Sequence, residues 1–274
     1  MITAKIICDS LNPQGNRLTT YVLTYPRFIL AEFNTHRMLS RNSASSRAIP
    51  ISKMISEILK NPAYPVSWGQ NQKGMQARTQ LSKHNQWLAE KVWVASCYCS
   101  CGFAWLLNKI GVHKQLANRI IEPWAHAVTI ASGTEWDNFF ALRTEEGAQP
   151  EFRDLALKMQ SLYHENKPKS TGWGEWHLPF SDKYVLENLG LENLLKITVA
   201  RCARVSYLNF EGDLDFKKDY ALHDRLLKEG HFSPFEHAAQ AGETKVGNFK
   251  GWLQYRHHGS YNNKEVGHER KFNP

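Results

Sequence analysis

The densest concentration of chemically useful side chains lies between residues 35 and 47. This stretch reads Thr-His-Arg-Met-Leu-Ser-Arg-Asn-Ser-Ala-Ser-Ser-Arg and combines three arginines with several hydroxyl groups and one amide. Arginine guanidinium groups bind phosphate through paired hydrogen bonds, and hydroxyl groups donate to the remaining phosphate oxygens. The stretch therefore predicts a phosphate or pyrophosphate site, although composition alone favours a plainer interpretation, a solvated basic loop.

A second polar cluster occupies residues 230–237, where two histidines and a glutamate surround a Ser-Pro turn. Imidazole and carboxylate groups are common metal ligands, so a metal site is one interpretation. However, His231 and His237 are six positions apart and Glu236 adjoins His237, so the three side chains need not converge. We predict no metal here, and local sequence alone favours an ordinary turn with exposed polar groups.

A third set of polar residues is spread over residues 119–151. It includes Arg119, close before a proline, and a predicted helix that carries Asn138 and Arg143. Positions five apart on a helix do not share one face closely, because a helix has about 3.6 residues per turn. We expect that Asn138 and Arg143 could still frame a single cleft from its two sides.

The five cysteines, Cys8, Cys97, Cys99, Cys101 and Cys202, do not indicate a metal site or a disulfide framework. The Cys-x-Cys-x-Cys spacing differs from the paired Cys-x2-Cys arrangement of zinc sites. We predict free thiols in a buried helix. A reducing, cytoplasmic setting is expected, because we find neither a secretory signal sequence nor an apolar run long enough to cross a bilayer.

The spacing of apolar residues predicts the elements that must position these groups. Alternation predicts strands at 2–8 and 18–25, and a helix that starts at Pro26 places Phe33 and His36 at helical spacing. Together with the later helices this indicates an α+β fold, an antiparallel sheet flanked by helices. The other predicted segments are a serine-rich loop at 40–50, a surface excursion at 61–80, an irregular segment at 166–182, and helices at 51–60, 84–109, 112–119, 134–145, 148–165, 184–196 and 218–229.

Composition and charge narrow the class of function. A hydrophobic fraction of 42% with 12% aromatic residues supports a folded core, and the apolar helix at 84–109 is expected to be buried on several sides. Lys and Arg number 34 against 26 Asp and Glu, a formal net charge of +8. This excess favours anionic partners, namely nucleotides, folates or nucleic acid, without choosing between them.

Taken together, the polar clusters resemble the motifs of the flavin-dependent thymidylate synthases. That family carries R-H-R-x-x-S-x-N-E-x-S-x-R, and this chain matches it at His36, Arg37, Ser40, Asn42, Ser45 and Arg47. Four further family elements have counterparts: H-x-[ST]-P-F-E-H at 231–237, A-R-V-S-[FY] at 203–207, R-x-x-x-P at 119–123, and N-F-x-x-L-R-x-x-x-x-A-Q at 138–149.

The order of these motifs differs from that of the family. The A-R-V-S and S-P-F-E-H elements precede the R-H-R signature in the family and follow it here. The chain therefore resembles a circular permutation of a single domain, 1–274, with a junction near 166–182. Residues 248–258 lie where the signature helix would follow the S-P-F-E-H element, and we interpret them as a partial second copy that keeps Arg256 and His257.

Three positions depart from the family pattern. Thr35 replaces the first arginine of R-H-R, Ser43 replaces a glutamate, and Glu32 stands where the family has a nucleotide-contacting glutamine. Arg256 could restore the missing arginine. The other two changes leave the identity of the nucleotide open.

The resemblance implies a specific reaction. It implies methylation of dUMP at C5, with methylenetetrahydrofolate as the carbon donor, FAD as the bound cofactor, NADPH as its reductant, and a homotetramer as the assembly. Two alternatives stay open: methylation or hydroxymethylation of another pyrimidine nucleotide such as dCMP, and a basic nucleic-acid-binding module without catalysis. Flavin absorbance and release of the C5 hydrogen distinguish the three.

The resemblance also implies roles for individual residues. Arg143 and Ser45 are the catalytic candidates, with Arg143 polarising the pyrimidine base. Ser45, Arg47, Arg119 and Arg143 would hold the nucleotide, and Glu32 would lie beside it. The residues that would line the flavin, with His231 near the folate and nicotinamide entry, are His36, Arg37, Asn42, Asn138, His231, Ser233, Glu236 and Arg256.

Overall fold

A hairpin of two long strands supplies the middle of the main sheet. The computed structural model describes residues 1–181, 183–205, 215–243 and 247–258 of the chain. β1 (Thr3–Leu11) and β2 (Arg17–Pro26) pair in antiparallel fashion, as their alternating pattern predicted. The connection turns tightly because the Asn12 side-chain oxygen accepts hydrogen bonds from two backbone amides and Gly15 takes a left-handed conformation.

Within the described residues the strands form two sheets. A five-stranded sheet has the order β3-β4-β2-β1-β5, and a three-stranded sheet has the order β6-β7-β8. All pairs are antiparallel except β1 with β5. The additional strands are β3 (Ser40–Ser43), β4 (His126–Gly133), β5 (Lys169–Ser170), β6 (Trp176–His177), β7 (Ala239–Ala241) and β8 (Trp252–Gln254).

Helices cover both faces of the five-stranded sheet. The described helices are α1 (Leu30–Phe33), α2 (Ile51–Lys60), α3 (Lys83–Lys109), α4 (Lys114–Ala117), α5 (Asp137–Arg143), α6 (Pro150–Glu165), α7 (Lys183–Arg204) and α8 (Phe216–Lys228). Short 3-10 turns lie at 27–29, 46–48, 118–124, 233–236 and 255–257. None of the helices in these residues is both long enough and apolar enough to cross a membrane. The mixture of sheets and flanking helices confirms the predicted α+β class.

The two faces of the main sheet pack against different hydrophobic clusters. On one face, Tyr21, Leu23 and Tyr25 of β2 pack against α1, α5 and α6 through a core rich in phenylalanine. On the other face, Ile130 of β4 contacts Cys202 of α7, and the three-stranded sheet lies nearby with Leu18 of β2 packed against it. Because successive strand residues point to opposite faces, neighbours such as Thr20 and Tyr21 serve different cores.

Two strand predictions need correction. Residues 40–50 were expected to be a loop, yet Ser40–Ser43 pair with β4 as an edge strand. The polar side chains of β3 fit there because each finds a hydrogen-bond partner in the protein, which replaces water. The strand at His126–Gly133 was not predicted at all, although its Ala-Val-Thr-Ile-Ala run is typical of a buried strand.

Several predicted helices are present, but they begin or end at different residues from those expected. The helix expected from Pro26 to His36 ends at Phe33, because the Arg41 guanidinium takes the carbonyls of Phe33 and His36 that a longer helix would use internally. The helix expected at 134–145 covers only Asp137–Arg143, and that at 112–119 is a short helix followed by a 3-10 turn. The helix expected at 184–196 runs to Arg204 with a kink at Gly190.

The long helix α3 is less buried within this chain than predicted. Only Cys97, Cys101 and Ala104 are buried, on one side, and Cys99 is exposed. The thiols are free, as expected. The remaining sequence predictions, at 51–60, 148–165 and 218–229, match helices closely. In segment 166–182, Trp176 and Phe180 pack as expected, whereas Trp173 is half exposed.

Candidate active site

The contact between His36 and Arg143 joins two motif clusters that are far apart in sequence. His36 follows α1 in a turn, and Arg143 is the last residue of α5. Arg143 Nε donates a hydrogen bond to His36 Nε2 at 2.8 Å, and Nη2 lies 3.4 Å from the Thr35 hydroxyl. The guanidinium carbon stands 4.6 Å from the centre of the Phe152 ring, a cation–π arrangement. The structure therefore fixes Arg143 from two sides.

The protonation state of His36 follows from this contact. Burial, followed by the nearby charges of Arg143 and Arg41, lowers the pKa of His36 to about 4. The imidazole is therefore neutral at pH 7, and its Nε2 lone pair is free to accept the hydrogen bond from Arg143. Because the acceptor nitrogen is Nε2, the proton of this neutral imidazole resides on Nδ1.

Arg41 connects this pair to the S-P-F-E-H segment. Its Nη1 donates to the carbonyls of Phe33 at 2.9 Å and His36 at 2.8 Å, so the side chain holds the turn that presents His36. The Arg41 carbonyl in turn accepts a hydrogen bond from the Ser233 hydroxyl at 2.9 Å. The S-P-F-E-H segment is thereby attached to β3, which carries part of the signature motif.

The neighbouring positions of β3 are also used inside the protein. Asn42 Nδ2 donates to the Cys202 carbonyl of α7 at 3.0 Å, and the Ser43 hydroxyl lies 2.8 Å from the Thr129 hydroxyl. Ser43 therefore faces the sheet rather than an open cleft.

Glu236 forms an ion pair with Arg256, whose guanidinium carbon is 5.8 Å from the centre of the Phe232 ring.

Arg119 lies in a separate pocket. Its guanidinium contacts Glu122 at 2.9 Å, and Arg27 approaches the same carboxylate oxygen at 3.2 Å. All three residues line a surface pocket of about 440 Å³. Asn118 holds this region against the signature segment, because its Nδ2 donates to the carbonyls of Ser46 and Ile49.

Other predicted site residues lie at or near the surface, and the described part of the chain offers their side chains few partners. Arg37 and Arg47 are exposed, and among the described residues their side chains make no hydrogen bond or ion pair. Asn138 is exposed, and Ser45 and Glu32 are partly exposed. His231 is 65% exposed and only approaches Glu229, at 3.4 Å. The structure does not place Arg47, Asn138 or His231 in contact with the His36–Arg143 pair.

One network of buried polar side chains was not predicted from the sequence. His177 of β6 is hydrogen-bonded to Thr20 at 2.8 Å, Thr20 to Ser132 at 2.6 Å, and Ser132 to His237 at 2.8 Å. Burial lowers the pKa of both histidines to about 3, and repulsion between the two rings in their protonated forms adds to the effect on His177. This buried histidine chain links the two sheets. His237 belongs to a quoted motif, but only the fold shows which strand it meets.

No metal centre is evident in the parts of the chain that the structure describes. No three His, Cys, Asp or Glu side chains there come together closely enough to bind an ion. His231, Glu236 and His237 separate because His237 points into the buried chain, Glu236 pairs with Arg256, and His231 stays outside.

Solved structures with a similar fold are known. The structure is similar to a UMP/dUMP methylase PolB from Streptomyces cacaoi bound with 5-Br dUMP, with a TM-score of 0.50, 12% identity, and coverage of 60% of this chain and 90% of the other. The same methylase bound with 5-Br UMP gives a TM-score of 0.50 at 14% identity, with 60% and 89% coverage. At this identity the likeness concerns the fold.

The sequence comparison identifies the family. No curated protein sequence matches the chain. The family model described as thymidylate synthase complementing protein matches residues 16–169, which is more than half of the chain and includes the signature segment, Arg119 and Arg143. The predicted family is thus confirmed: the chain belongs to the thymidylate synthase complementing proteins, the flavin-dependent thymidylate synthases.

Proposed function

We propose that this chain is a flavin-dependent thymidylate synthase that methylates dUMP at C5, with methylenetetrahydrofolate and NADPH as co-substrates. The observation that carries the proposal is the hydrogen bond from Arg143 to a neutral His36. Together with the Ser233–Arg41 contact, it links residues of three motif clusters, although the two pairs of bonded residues are 107 and 192 positions apart. Family membership supplies the reaction class.

Arg143 is proposed to stabilise negative charge on the pyrimidine ring. Its Nε is held by His36, and the ring of Phe152 lies against the guanidinium; among the described residues no acceptor binds Nη1, which we propose contacts the ligand. Because arginine stays protonated at all relevant pH values, this charge is present before substrate arrives. A fixed cation aimed at an oxygen where charge develops lowers the barrier without reorganisation during the reaction.

The nucleotide phosphate is proposed to bind at Ser45, Arg47 and Arg119. Arg47 is exposed and unpaired among the described residues, and Arg119 shares Glu122 with Arg27, so each has donors to offer. A phosphate with its negative charge would pair with these guanidinium groups bidentately. Glu32, on α1, would face the nucleotide from the helix side.

The residues predicted to line the flavin fit FAD by their chemistry. The guanidinium of Arg37, exposed and unpaired among the described residues, suits a pyrophosphate, and the neutral His36 and the Asn138 amide suit neutral polar groups. We propose that these residues hold the flavin together with Asn42, Ser233, Glu236, Arg256 and His231. When bound, the flavin supplies the hydride that completes the methyl group.

A second candidate substrate is a different pyrimidine nucleotide, such as UMP or dCMP. Ser43 faces Thr129 within the sheet, so no carboxylate stands where the family has a glutamate. The structural neighbour is itself described as a methylase of both UMP and dUMP, and was crystallised with the 5-bromo form of each. We therefore propose methylation of a pyrimidine nucleotide as the general activity and dUMP as the first substrate to test.

The experiment uses the full chain and three tritiated nucleotides. Release of the C5 hydrogen from dUMP, UMP and dCMP is measured with methylenetetrahydrofolate, NADPH and FAD, and flavin absorbance of the purified protein is recorded. We expect a flavin spectrum and release from dUMP. Arg143→Ala should lower kcat/KM by roughly 100-fold or more, whereas Arg78→Ala, an exposed arginine in the 61–80 excursion, should leave it unchanged.

The outcomes separate the alternatives. Release of the C5 hydrogen from dCMP or UMP but not from dUMP would identify a different substrate for the same type of reaction. Absence of flavin together with salt-sensitive binding to oligonucleotides would favour the nucleic-acid-binding alternative.

The proposed assembly is a homotetramer. The proposed setting is the cytoplasm, and the five free thiols support this setting.

A further inference from the structure

A cavity of about 460 Å³ lies between helix α2 and the end of the main sheet where β2 ends and β4 begins. Its interior is mainly apolar, because the buried residues that line it are Ala44, Ser46, Ile49, Met54, Ile58 and Ala125. We call this space the α2 cavity. Small-molecule sites in proteins are typically concave and apolar, with volumes of roughly 300–1,000 Å³ and a few polar groups that orient the ligand.

The Ser46 hydroxyl is a polar group in this apolar lining that lacks a partner. Ser46 is 1% exposed, and within the described part of the chain its Oγ makes no hydrogen bond. The backbone carbonyl of Ser46 already accepts a hydrogen bond from Asn118 Nδ2 at 2.8 Å, so the unused hydrogen-bonding capacity belongs to the side chain. Because an unpaired buried hydroxyl is unfavourable, such groups in native proteins usually bind another protein group, a water or a ligand. Ser46 therefore marks a position where a ligand in the α2 cavity gains a hydrogen bond.

Arg27 adds a positive charge to the lining of the cavity. Its Nη1 donates to the Ala44 carbonyl at 3.0 Å and its Nε lies 3.2 Å from Glu122, which fixes the guanidinium against the segment that carries Ser46. Among the described residues Nη2 has no acceptor. A guanidinium N–H and a hydroxyl both donate to carboxylates, and hydrogen bonds to an ionised group are about twice as strong as neutral ones. This part of the lining therefore favours a ligand with a carboxylate group.

The charges at the solvent edge of the cavity also favour an anion. Glu57 and Lys60 belong to the lining and are exposed. Glu57 approaches Lys53 at 4.0 Å, whereas Lys60 makes no ion pair among the described residues. Burial, followed by the charge of the amino terminus, lowers the pKa of His126 to about 4, so this lining residue is neutral at pH 7. The edge thus offers a lysine to a ligand anion, while its carboxylate already has a lysine partner.

We propose that the α2 cavity binds a small aromatic carboxylate. The carboxylate accepts hydrogen bonds from Ser46 Oγ and Arg27 Nη2, and the ring packs against the apolar side chains of α2. One of these is Met54, whose flexible thioether makes favourable contacts with aromatic rings. A rigid ring fills apolar space at a small cost in conformational entropy, which favours it over a flexible chain of the same volume.

The α2 cavity is separate from the residues proposed to bind the nucleotide phosphate. Ser45 has an extended backbone, with φ −90° and ψ 123°, so its side chain points away from those of Ala44 and Ser46. Ala44 and Ser46 are buried and line the cavity, whereas Ser45 is partly exposed and Arg47 is exposed. The inference therefore goes beyond the proposed function and does not rest on it.

The first test compares three indole compounds that differ in charge: the anion indole-3-acetate, the neutral indole-3-ethanol and the cation tryptamine. Their binding to the full chain is measured by isothermal titration calorimetry at neutral pH, without nucleotide or folate. We expect the dissociation constant of indole-3-acetate to be at least about tenfold below that of the other two, because its carboxylate pairs with Arg27 and Ser46. Absence of indole-3-acetate binding at about 1 mM, or equal or tighter binding of either other compound, would overturn the proposal.

The second test locates the bound acid with variants of three consecutive residues. Ser46→Ala removes the inner hydroxyl and should raise the dissociation constant of indole-3-acetate about tenfold, whereas Ser45→Ala, the matched control, should leave it unchanged. Ala44→Leu fills part of the cavity and should abolish binding. Circular dichroism confirms that each variant folds. If folded Ala44→Leu protein keeps the native affinity, or Ser45→Ala weakens binding more than Ser46→Ala does, the acid binds elsewhere and the proposal fails.

Discussion

The two faces of the main sheet each hold neutral histidine, but in different surroundings. On the face of α1, α5 and α6, His36 is half-buried at the edge of the sheet beside Arg143 and Arg41. On the opposite face, His177 and His237 are fully buried between the two sheets and bonded to hydroxyl groups. The pKa falls to about 4 for His36 and to about 3 for the buried pair.

This difference distinguishes His36, a candidate ligand-binding residue, from His177 and His237, which stabilise the fold. At His36 two fixed cations add to the effect of burial and keep the ring neutral, and its partner Arg143 is the residue that we propose contacts the ligand. At His177 and His237 burial dominates, and the hydrogen-bond partners are other protein groups. We therefore expect the buried chain to govern stability and the His36 group to govern ligand chemistry. The predictions that follow test that division.

The largest expected effect is acid destabilisation through the buried chain. In the unfolded chain these histidines titrate near pH 6.5, whereas in the folded protein their pKa is about 3. Between these values the unfolded state binds more protons, so stability is full above pH 6.5 and falls as the pH drops toward 3. Each histidine should cost roughly 1.4 kcal/mol per pH unit in this window.

The measurement is the free energy of unfolding in urea at several pH values. His237→Gln keeps a polar partner for Ser132 and removes one titrating group, so it should reduce the slope by about 1.4 kcal/mol per pH unit. An unchanged slope would mean that His237 is not the group that resists protonation.

The next effect concerns Arg41, which holds the turn that presents His36. Arg41→Ala leaves the carbonyls of Phe33 and His36 without their partner. Hydrogen bonds to charged groups contribute about 1.5–3 kcal/mol each, so we expect a loss of about 3 kcal/mol in the free energy of unfolding. Arg37→Ala, four residues away and without internal contacts among the described residues, should change it by less than about 0.5 kcal/mol. Equal effects of the two changes would remove the distinction between them.

A smaller effect on stability, but a clear one on activity, is expected from His36→Phe. Phenylalanine keeps the ring contact with Phe139 and removes the acceptor for Arg143 Nε. If His36 positions Arg143, kcat/KM should fall roughly tenfold to 100-fold. The same change made in Arg143→Ala protein should have little further effect, because the two residues act as one unit. Additive losses in this double-mutant cycle would assign His36 a separate role.

The sequence predicted the parts of this arrangement that depend on local pattern. The hairpin and helices α2, α6 and α8 followed from alternation and helical spacing, and the motifs identified the family. β3 escaped prediction because its polar residues are satisfied by partners distant in sequence. Asn42, for example, reaches a carbonyl 160 positions away. The buried histidine chain was equally hidden, since Thr20, Ser132 and His177 share no local motif.

The remaining predicted elements are of two kinds. The C-terminal part of the A-R-V-S element, Ser206 and Tyr207, lies outside the described residues. The junction near 166–182 and the individual ligand roles remain predictions. Ligand roles are hard to derive because a hydrogen bond within the protein and one to a cofactor use the same donor atoms, as Asn42 and Ser233 illustrate.

The smallest expected effect tests that ambiguity at Asn42. Its side chain was predicted to contact flavin, yet Nδ2 donates to the Cys202 carbonyl of α7. Asn42→Ala should therefore cost about 1 kcal/mol of folding free energy even without flavin, the usual contribution of one neutral hydrogen bond. Asn138→Ala, an exposed amide with no internal partner among the described residues, should leave that free energy unchanged. If apo protein is equally stable in both variants while flavin binding weakens only in Asn42→Ala, Asn42 acts on the cofactor directly and not through α7.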